Sequence, residues 1–520
     1  MDLMKACVLT CAMTMMSTHA QGAVKLPAMW SSDMVLQQQS EARFVGKATP
    51  GADVTIVAQW QKTPLTVKAG ADGRWSAKIK TPEGGKKSYT LEFTDGADGE
   101  SLTLENIVIG EVWLCSGQSN MEMPVAGWGK VKDYEKEMAA ADAYPWVRLL
   151  HVKRHTSVLP REDTVIDNGG GWRVCSPEAV EHFSAIGYFF GRQMEGELDV
   201  PIGIIDCTWG GSPVECWVSY QTLSRGSGFE GVVLDFMRKG MDEQSIRRYY
   251  QALVDSASAG KDFRPEVHPD AYAHKSGFPA TVDNDGFLPC ELFNAMLLPL
   301  TRMDIRGVLW YQGEQNADRP DQYACLFPAM IAEWRTLWSN PCMPFYFVQL
   351  ANYRDQKEVE PHSEWGYLRE AQASALHLPA TGMAIATDVG EAKDIHPKNK
   401  QEVARRLALL ALNRTYGKNV VCSAPEYVGY TIVGNEIHID FNAKAADFAP
   451  TDGEIDGFII AGHDGRFYKG VARKEGDRIA VSSPEVKYPV AVRYCWADNP
   501  KIGLRGKTGL PVAPFRTDNW

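Results

Sequence analysis

The 520-residue chain has no Cys-x-x-Cys pair and no His-Glu-x-x-His, so a zinc site or other metal centre has no support in the sequence. No Gly-x-Ser-x-Gly elbow occurs, which argues against an ordinary α/β-hydrolase. Gly506-Lys507-Thr508 has Lys501 where a phosphate-binding loop needs its first glycine. Basic residues are in deficit: 54 Lys and Arg against 65 Asp and Glu leave a net charge of -11. Non-specific nucleic-acid binding works by neutralising phosphates and is not expected here. Beyond residue 20 no apolar run reaches the length of a membrane span. No internal repeat is visible.

What is present reads as a soluble globular protein, with 44% hydrophobic and 23% charged residues. At roughly 100–200 residues per domain the length suggests three or four units. Residues 1–20 have a short head containing Lys5, an apolar run from Ala6 to Met16, and the close Ser17-Thr18-His19-Ala20. That order is similar to a secretory signal peptide and leads us to expect an exported protein, periplasmic or secreted. Nine cysteines follow, scattered from Cys115 to Cys495. An odd number spread over a large chain implies no disulfide framework, although individual pairs remain open.

From residue 21 to 106, short β-prone runs such as Val54–Ala58, Trp75–Ile79 and Tyr89–Phe93 are separated by Pro50-Gly51, Asp72-Gly73 and Gly84-Gly85. This spacing predicts a β-sandwich module. Its Trp30, Trp60 and Trp75 are read as core or scattered surface residues, with a sugar-binding surface as the alternative. From 107 to 419 apolar runs alternate with helical stretches. Strands are expected at Ile107–Leu114, Val147–Val152, Ile202–Ile205, Gly307–Tyr311, Phe345–Gln349 and Met383–Ala386. Helices are expected at Ala185–Leu198, Tyr323–Trp338 and Asn399–Tyr416. The alternation predicts an α/β domain built on a doubly wound parallel sheet. A polar stretch at about 220–275, with a helix at Ser245–Ser256, reads as an insertion, either a lid or a packing element. Short strands return from 420 to 520, as a separate C-terminal β module or as the completion of the first one.

Within the α/β domain, four stretches follow predicted strands, where open α/β sheets build their sites. Ser119 stands in Gly117-Gln-Ser-Asn-Met121, immediately after the Ile107 strand. Ser and Asn also serve there as ordinary turn and N-cap residues. Gly211, in Trp209-Gly-Gly-Ser-Pro213, can bring a backbone N–H close to a reacting atom because no side chain intervenes. Asn316 ends Trp310-Tyr-Gln-Gly-Glu-Gln-Asn316, and Asp394-Ile-His-Pro397 precedes the last helix. In extended chain the i, i+2 pair Asp394 and His396 points one way. A nucleophile, a base, a group to orient the base and oxyanion donors are the parts that ester hydrolysis by serine requires. Trp217, Gln312 and Glu314 flank these stretches and are candidates for the pocket lining, with core packing as the alternative.

These four motifs, together with Asp33-Met-Val-Leu-Gln37 and Thr49-Pro-Gly-Ala52 upstream, closely resemble the sialate O-acetylesterases of the SGNH hydrolase superfamily. The resemblance covers the first β module and the hydrolase domain. It implies a flavodoxin-like SGNH fold and a metal-free, cofactor-free serine mechanism. The implied substrate is O-acetylated sialic acid or a sialoglycan. Position by position it makes Ser119 the nucleophile and His396 the base. Gly211 and Asn316 then complete the oxyanion hole. Many superfamily members carry the acid three residues before the histidine, where this chain has Lys393, so Asp394 is displaced by one. Asp388, Glu391, or a dyad oriented by a carbonyl are the alternatives. An esterase for another acetylated glycan such as xylan, and an inactive carbohydrate-binding protein, are the competing functions. The oligomeric state is left open.

Overall fold

The computed structural model describes residues 24–520 apart from 98, 158, 168–169, 226–288 and 450–454. The expected leader and the expected Ser245–Ser256 helix lie outside the described residues.

The strand Ser101–Gly117 runs through the boundary expected at residue 106. Its first residues alternate between exposed and covered, as on a sheet with one buried face, whereas Ile107–Gly117 is buried without interruption. That change marks its passage from one module to the next. Its first half pairs antiparallel with Gly85–Asp95, and Val35–Gln37 runs parallel to Val108–Gly110. Its second half lies between Ile202–Thr208 and Gly307–Tyr311, both parallel to it. Val147–His151 continues the parallel sheet on one side. Phe345–Val348 and Thr381–Ala384 continue it on the other, and Arg173–Val174 adds an antiparallel edge.

Helices cover both faces of this sheet. Trp310 pairs with Ser116, three residues on from Trp113, so the two indoles point to opposite sides. Trp113 meets Phe190 of the helix Ala185–Leu198 at 5.2 Å. Trp310 meets Phe327 and Trp334 of the helix Pro320–Leu337, at 6.2 and 5.7 Å. This is the doubly wound α/β architecture expected. The Pro320 helix starts earlier than expected because a proline in the first turn forfeits no intrahelical hydrogen bond. The last helix, Lys400–Leu410, is capped by Asn399, whose side chain accepts from Glu402 N–H, and continues as a π-turn to Thr415. Mid-strand, buried Glu111 is held by Arg306 at 2.6 and 3.0 Å and by the Tyr416 hydroxyl at 2.8 Å. This pairing satisfies a charge that would be costly to bury alone.

In the N-terminal module Glu41–Lys47 and Arg74–Lys80 form a two-stranded sheet, and Phe44 and Trp75 pack on Phe93 of the long strand pair. Trp30 and Trp75 are core residues, and the Trp60 indole donates to Lys80 O. The C-terminal module has two four-stranded sheets and its own core, including Ile437, Ile460, Val481 and Tyr494. It is therefore a separate unit, not the missing half of the first. It is joined to the hydrolase domain through buried Arg369, which donates to Ala497 O and Asp498 O. All nine described cysteines are free thiols.

Trp113→Ala empties a fully buried site between the sheet and the Ala185 helix. The expected cost is about 3–5 kcal/mol, read as a fall in the urea midpoint of unfolding.

Candidate active site

The Ser101–Gly117 strand ends at Gly117, whose φ of +135 suits glycine and whose absent Cβ would lie 2.2 Å from Tyr311 O. Gln118 then locks the turn. Its N–H donates to Tyr311 O, and its side-chain oxygen accepts from Gly313 N–H and Gln315 N–H, at 3.2 and 3.3 Å. Gln118, Asn120, Met121 and Glu122 are all buried, and Ser119 alone in this turn is partly accessible. The Ser119 hydroxyl does not cap its short helix. Instead it lies 2.8 Å from Nε2 of His396.

His396 is carried by the 391–398 turn. Asp394 accepts the His396 backbone N–H at 2.9 Å, as in an Asx-turn, and its nearer oxygen stands 3.8 Å from Nδ1. The pair is thus brought together by a turn, in place of the extended segment expected, and Asp394 faces the imidazole beyond direct hydrogen-bond reach. The rival carboxylates are engaged elsewhere. Asp388 is held by Arg406 and Arg505, and Glu391 accepts from Lys398 N–H.

Gly210 also approaches Ser119 closely. A Cβ there would stand 3.3 Å from Ser119 Cβ and 2.8 Å from Glu122 Oε2. Gly211 takes the left-handed conformation, φ +76. Asn316 is fully buried and binds this loop: its oxygen accepts from Val214 N–H at 3.0 Å and Gln312 Nε2 at 2.7 Å. Its Nδ2 donates to Glu215 at 2.9 Å, which leaves one amide hydrogen for another acceptor.

A family model described as carbohydrate esterase, sialic acid-specific acetylesterase, matches residues 109–257 and 291–412. The chain belongs to that family. It is 32% identical to a sialate O-acetylesterase of Rattus norvegicus over 426 residues, covering 75% of this chain and 74% of that one. To the Homo sapiens sialate O-acetylesterase it is 30% identical over 428 residues, 76% and 72% of the two chains. A solved carbohydrate acetylesterase from Xanthomonas citri matches with a TM-score of 0.78 and 34% identity, covering 96% of this chain and 100% of that one. The protein is an esterase, a hydrolase.

In this esterase two of the expected lining residues are parts of the frame. Trp217 is fully buried, and its indole donates to Ser212 Oγ at 2.9 Å, bracing the glycine turn. Gln312, also buried, holds Asn316. Both were read as candidates on their nearness in sequence to the motifs, but their side chains point into the core. Glu314 joins a polar group that sequence reasoning missed. Asn120 donates to Glu314 Oε1 at 2.5 Å and to Ile395 O at 2.9 Å, and accepts from Lys400 Nζ at 2.5 Å. Asn120 thereby ties the Ser119 turn to the chain carrying His396. Its place next to Ser119 was the one available signal. Lys400 is fully buried, and a buried lysine in the first turn of a helix has no local signature. Among the described residues one group has metal-ligating spacing, Glu436, His438 and Glu475 in the C-terminal module. Arg473 already pairs with both of its carboxylates.

Burial pushes the Lys400 ammonium down to about 7 and the Glu314 carboxyl up. It also lowers His396 below its ordinary value, with Lys400 adding to the effect and Asp394 opposing it. A histidine base must be neutral to accept a proton, so with His396 in that role activity is expected to fall as pH drops through its value. The acidic limb of kcat/KM is therefore expected below about 6.5. At that pH Lys400 carries its proton, so Lys400→Met removes a repelling charge and moves the limb upward in a pH-rate profile. Asn120→Ala cuts the tie to Ile395 and is expected to lower kcat about a hundredfold, with little change in KM, in steady-state assays.

Proposed function

We propose that the esterase removes O-acetyl groups from sialic acids by a serine mechanism. The observation that carries this reading is the 2.8 Å hydrogen bond from the Ser119 hydroxyl to Nε2 of His396, in a turn where every neighbouring side chain is buried. In the first step Ser119 Oγ attacks the acetyl carbonyl while His396 takes its proton. The backbone N–H groups of Ser119 and Gly211 and the free amide hydrogen of Asn316 serve as donors to the oxyanion. Collapse of the tetrahedral intermediate breaks the ester bond, and His396 gives its proton to the departing sugar hydroxyl. Water, activated by the same imidazole, then hydrolyses the acetyl-enzyme. Asp394, placed by its bond to the His396 N–H, favours the imidazolium form electrostatically across 3.8 Å. The names of the rat and human relatives support sialate as the substrate.

The Xanthomonas structure, named only for carbohydrate acetyl ester chemistry, supports a second reading in which the substrate is another acetylated glycan such as xylan. The leader-like residues 1–20 support export to the periplasm or medium. N-terminal sequencing of the mature protein tests this, with cleavage after about residue 20 expected.

Acetate release from O-acetylated sialic acid and from acetylated xylan, by the wild type and Ser119→Ala, decides between the readings. Release from the sialate that falls at least about ten-thousandfold in the variant is expected. Release from xylan alone would keep the mechanism and replace the substrate, and activity surviving in Ser119→Ala would overturn the site.

A further inference from the structure

Two half-exposed side chains stand beside the residues that carry this site, Trp128 against His396 and Arg154 against Glu122 of the Ser119 turn, and neither belongs to the hydrolytic apparatus described above. Trp128 keeps 54% of its surface exposed although its ring meets His396 edge to face, with centroids 5.1 Å apart and an interplanar angle of 77°. The segment bearing it is pinned at both ends, by Ala126 N–H on Glu181 O and by Lys132 N–H on Lys398 O. Gly127 and Gly129 flank it, and a Cβ at either would meet Pro124 or Met123 at 2.6 and 3.0 Å. Small residues thus press the backbone onto its floor, and the indole between them stands out. An indole held open beside His396 offers a flat face on which a sugar ring can lie.

Arg154 follows the Val147–His151 strand, at the same carboxyl edge of the parallel sheet as Ser119. Its Nη2 contacts Glu122 Oε1. The other oxygen of Glu122 abuts Gly210, which in turn abuts Ser119. The Arg154 side chain remains 47% exposed. A guanidinium has five N–H donors, so Glu122 orients the fork and leaves donors facing solvent. Asp206, the other acid facing this arginine, is itself tied to Thr208 Oγ1 and Ser184 N–H. Arg154 is paired with Glu122 and is no lone cation, but its remaining N–H donors match the two oxygens of a carboxylate on the substrate.

We propose that Trp128 and Arg154 form opposite walls of a cleft over Ser119 that takes an acetylated sugar acid. The pyranose face lies on the indole and the carboxylate on the guanidinium. This assignment rests on the esterase reading of Ser119 and His396, and adds to it how the sugar is held.

Steady-state kinetics on three esters test it: O-acetylated sialic acid, an O-acetylated neutral hexose and p-nitrophenyl acetate. Trp128→Ala is expected to raise KM for both sugar esters about tenfold relative to KM for the aryl acetate, and Trp128→Phe to recover most of that ratio. Arg154→Met is expected to lower the preference for the sialate over the neutral hexose about tenfold, with Arg154→Lys intermediate. Ratios left unmoved would overturn the proposal, as would a loss shared equally by all three esters, which would place both residues in the catalytic apparatus. If the wild type releases acetate from the hexose and not from the sialate, the role of Arg154 falls with the sialate reading. The Trp128 assignment is then decided by its ratio on the hexose ester.

Discussion

The pairing of Ser101–Gly117 with neighbours along both of its halves is the constraint on which the rest of this molecule depends. Through its first half it belongs to the N-terminal β module, and through its second it is the central strand of the hydrolase sheet. A strand hydrogen-bonded on two sides cannot slide without breaking both ladders or turning its side chains to the wrong faces. Its carboxyl end is therefore a fixed point, and Ser119 lies two residues beyond it. The strands on either side end in the Gly210 turn and the Gly313–Asn316 turn, so parallel register alone brings three of the motif loops to one edge.

Register does not deliver the histidine. His396 arrives after the strand three places away, on a turn held by Asp394, Glu391 and the polar group around Asn120. That group places a buried lysine and a buried carboxyl behind the Ser119 turn, with one asparagine bonded to both. Such networks rigidify when every member is satisfied. Here Glu314 Oε2 has no hydrogen-bond partner among the described residues, and Asp394 stands off from Nδ1. Much of the control over the imidazole thus comes from burial and from Lys400, in place of a close carboxylate.

The same separation of frame and surface explains the tryptophans. Trp113, Trp217, Trp310 and Trp334 are fully buried and set the spacing of sheet and helices, whereas Trp128 is exposed next to His396. All five are one residue type in sequence. Only the chain around each determines whether its indole is packed on two sides or one.

Several features of this protein were decided by sequence alone, because their causes are local. Continuous apolar runs marked the buried strands, and Gly307–Tyr311 and the helix Ala185–Leu198 have the ends their patterns predict. Turn chemistry after those strands singled out Ser119, Gly211, Asn316 and His396. What tertiary structure alone decided are contacts between residues far apart in the chain. The bond from Ser119 to His396 spans 277 positions and that from Lys400 to Asn120 spans 280, and neither leaves a trace in any local window. Gly210 abuts Ser119, Asp394 reaches the His396 backbone before its ring, and Gln312 and Trp217 turn inward. Each of these depends on side-chain direction at the end of a strand or turn. A shift of one residue reverses that direction, and only the packed sheet selects it.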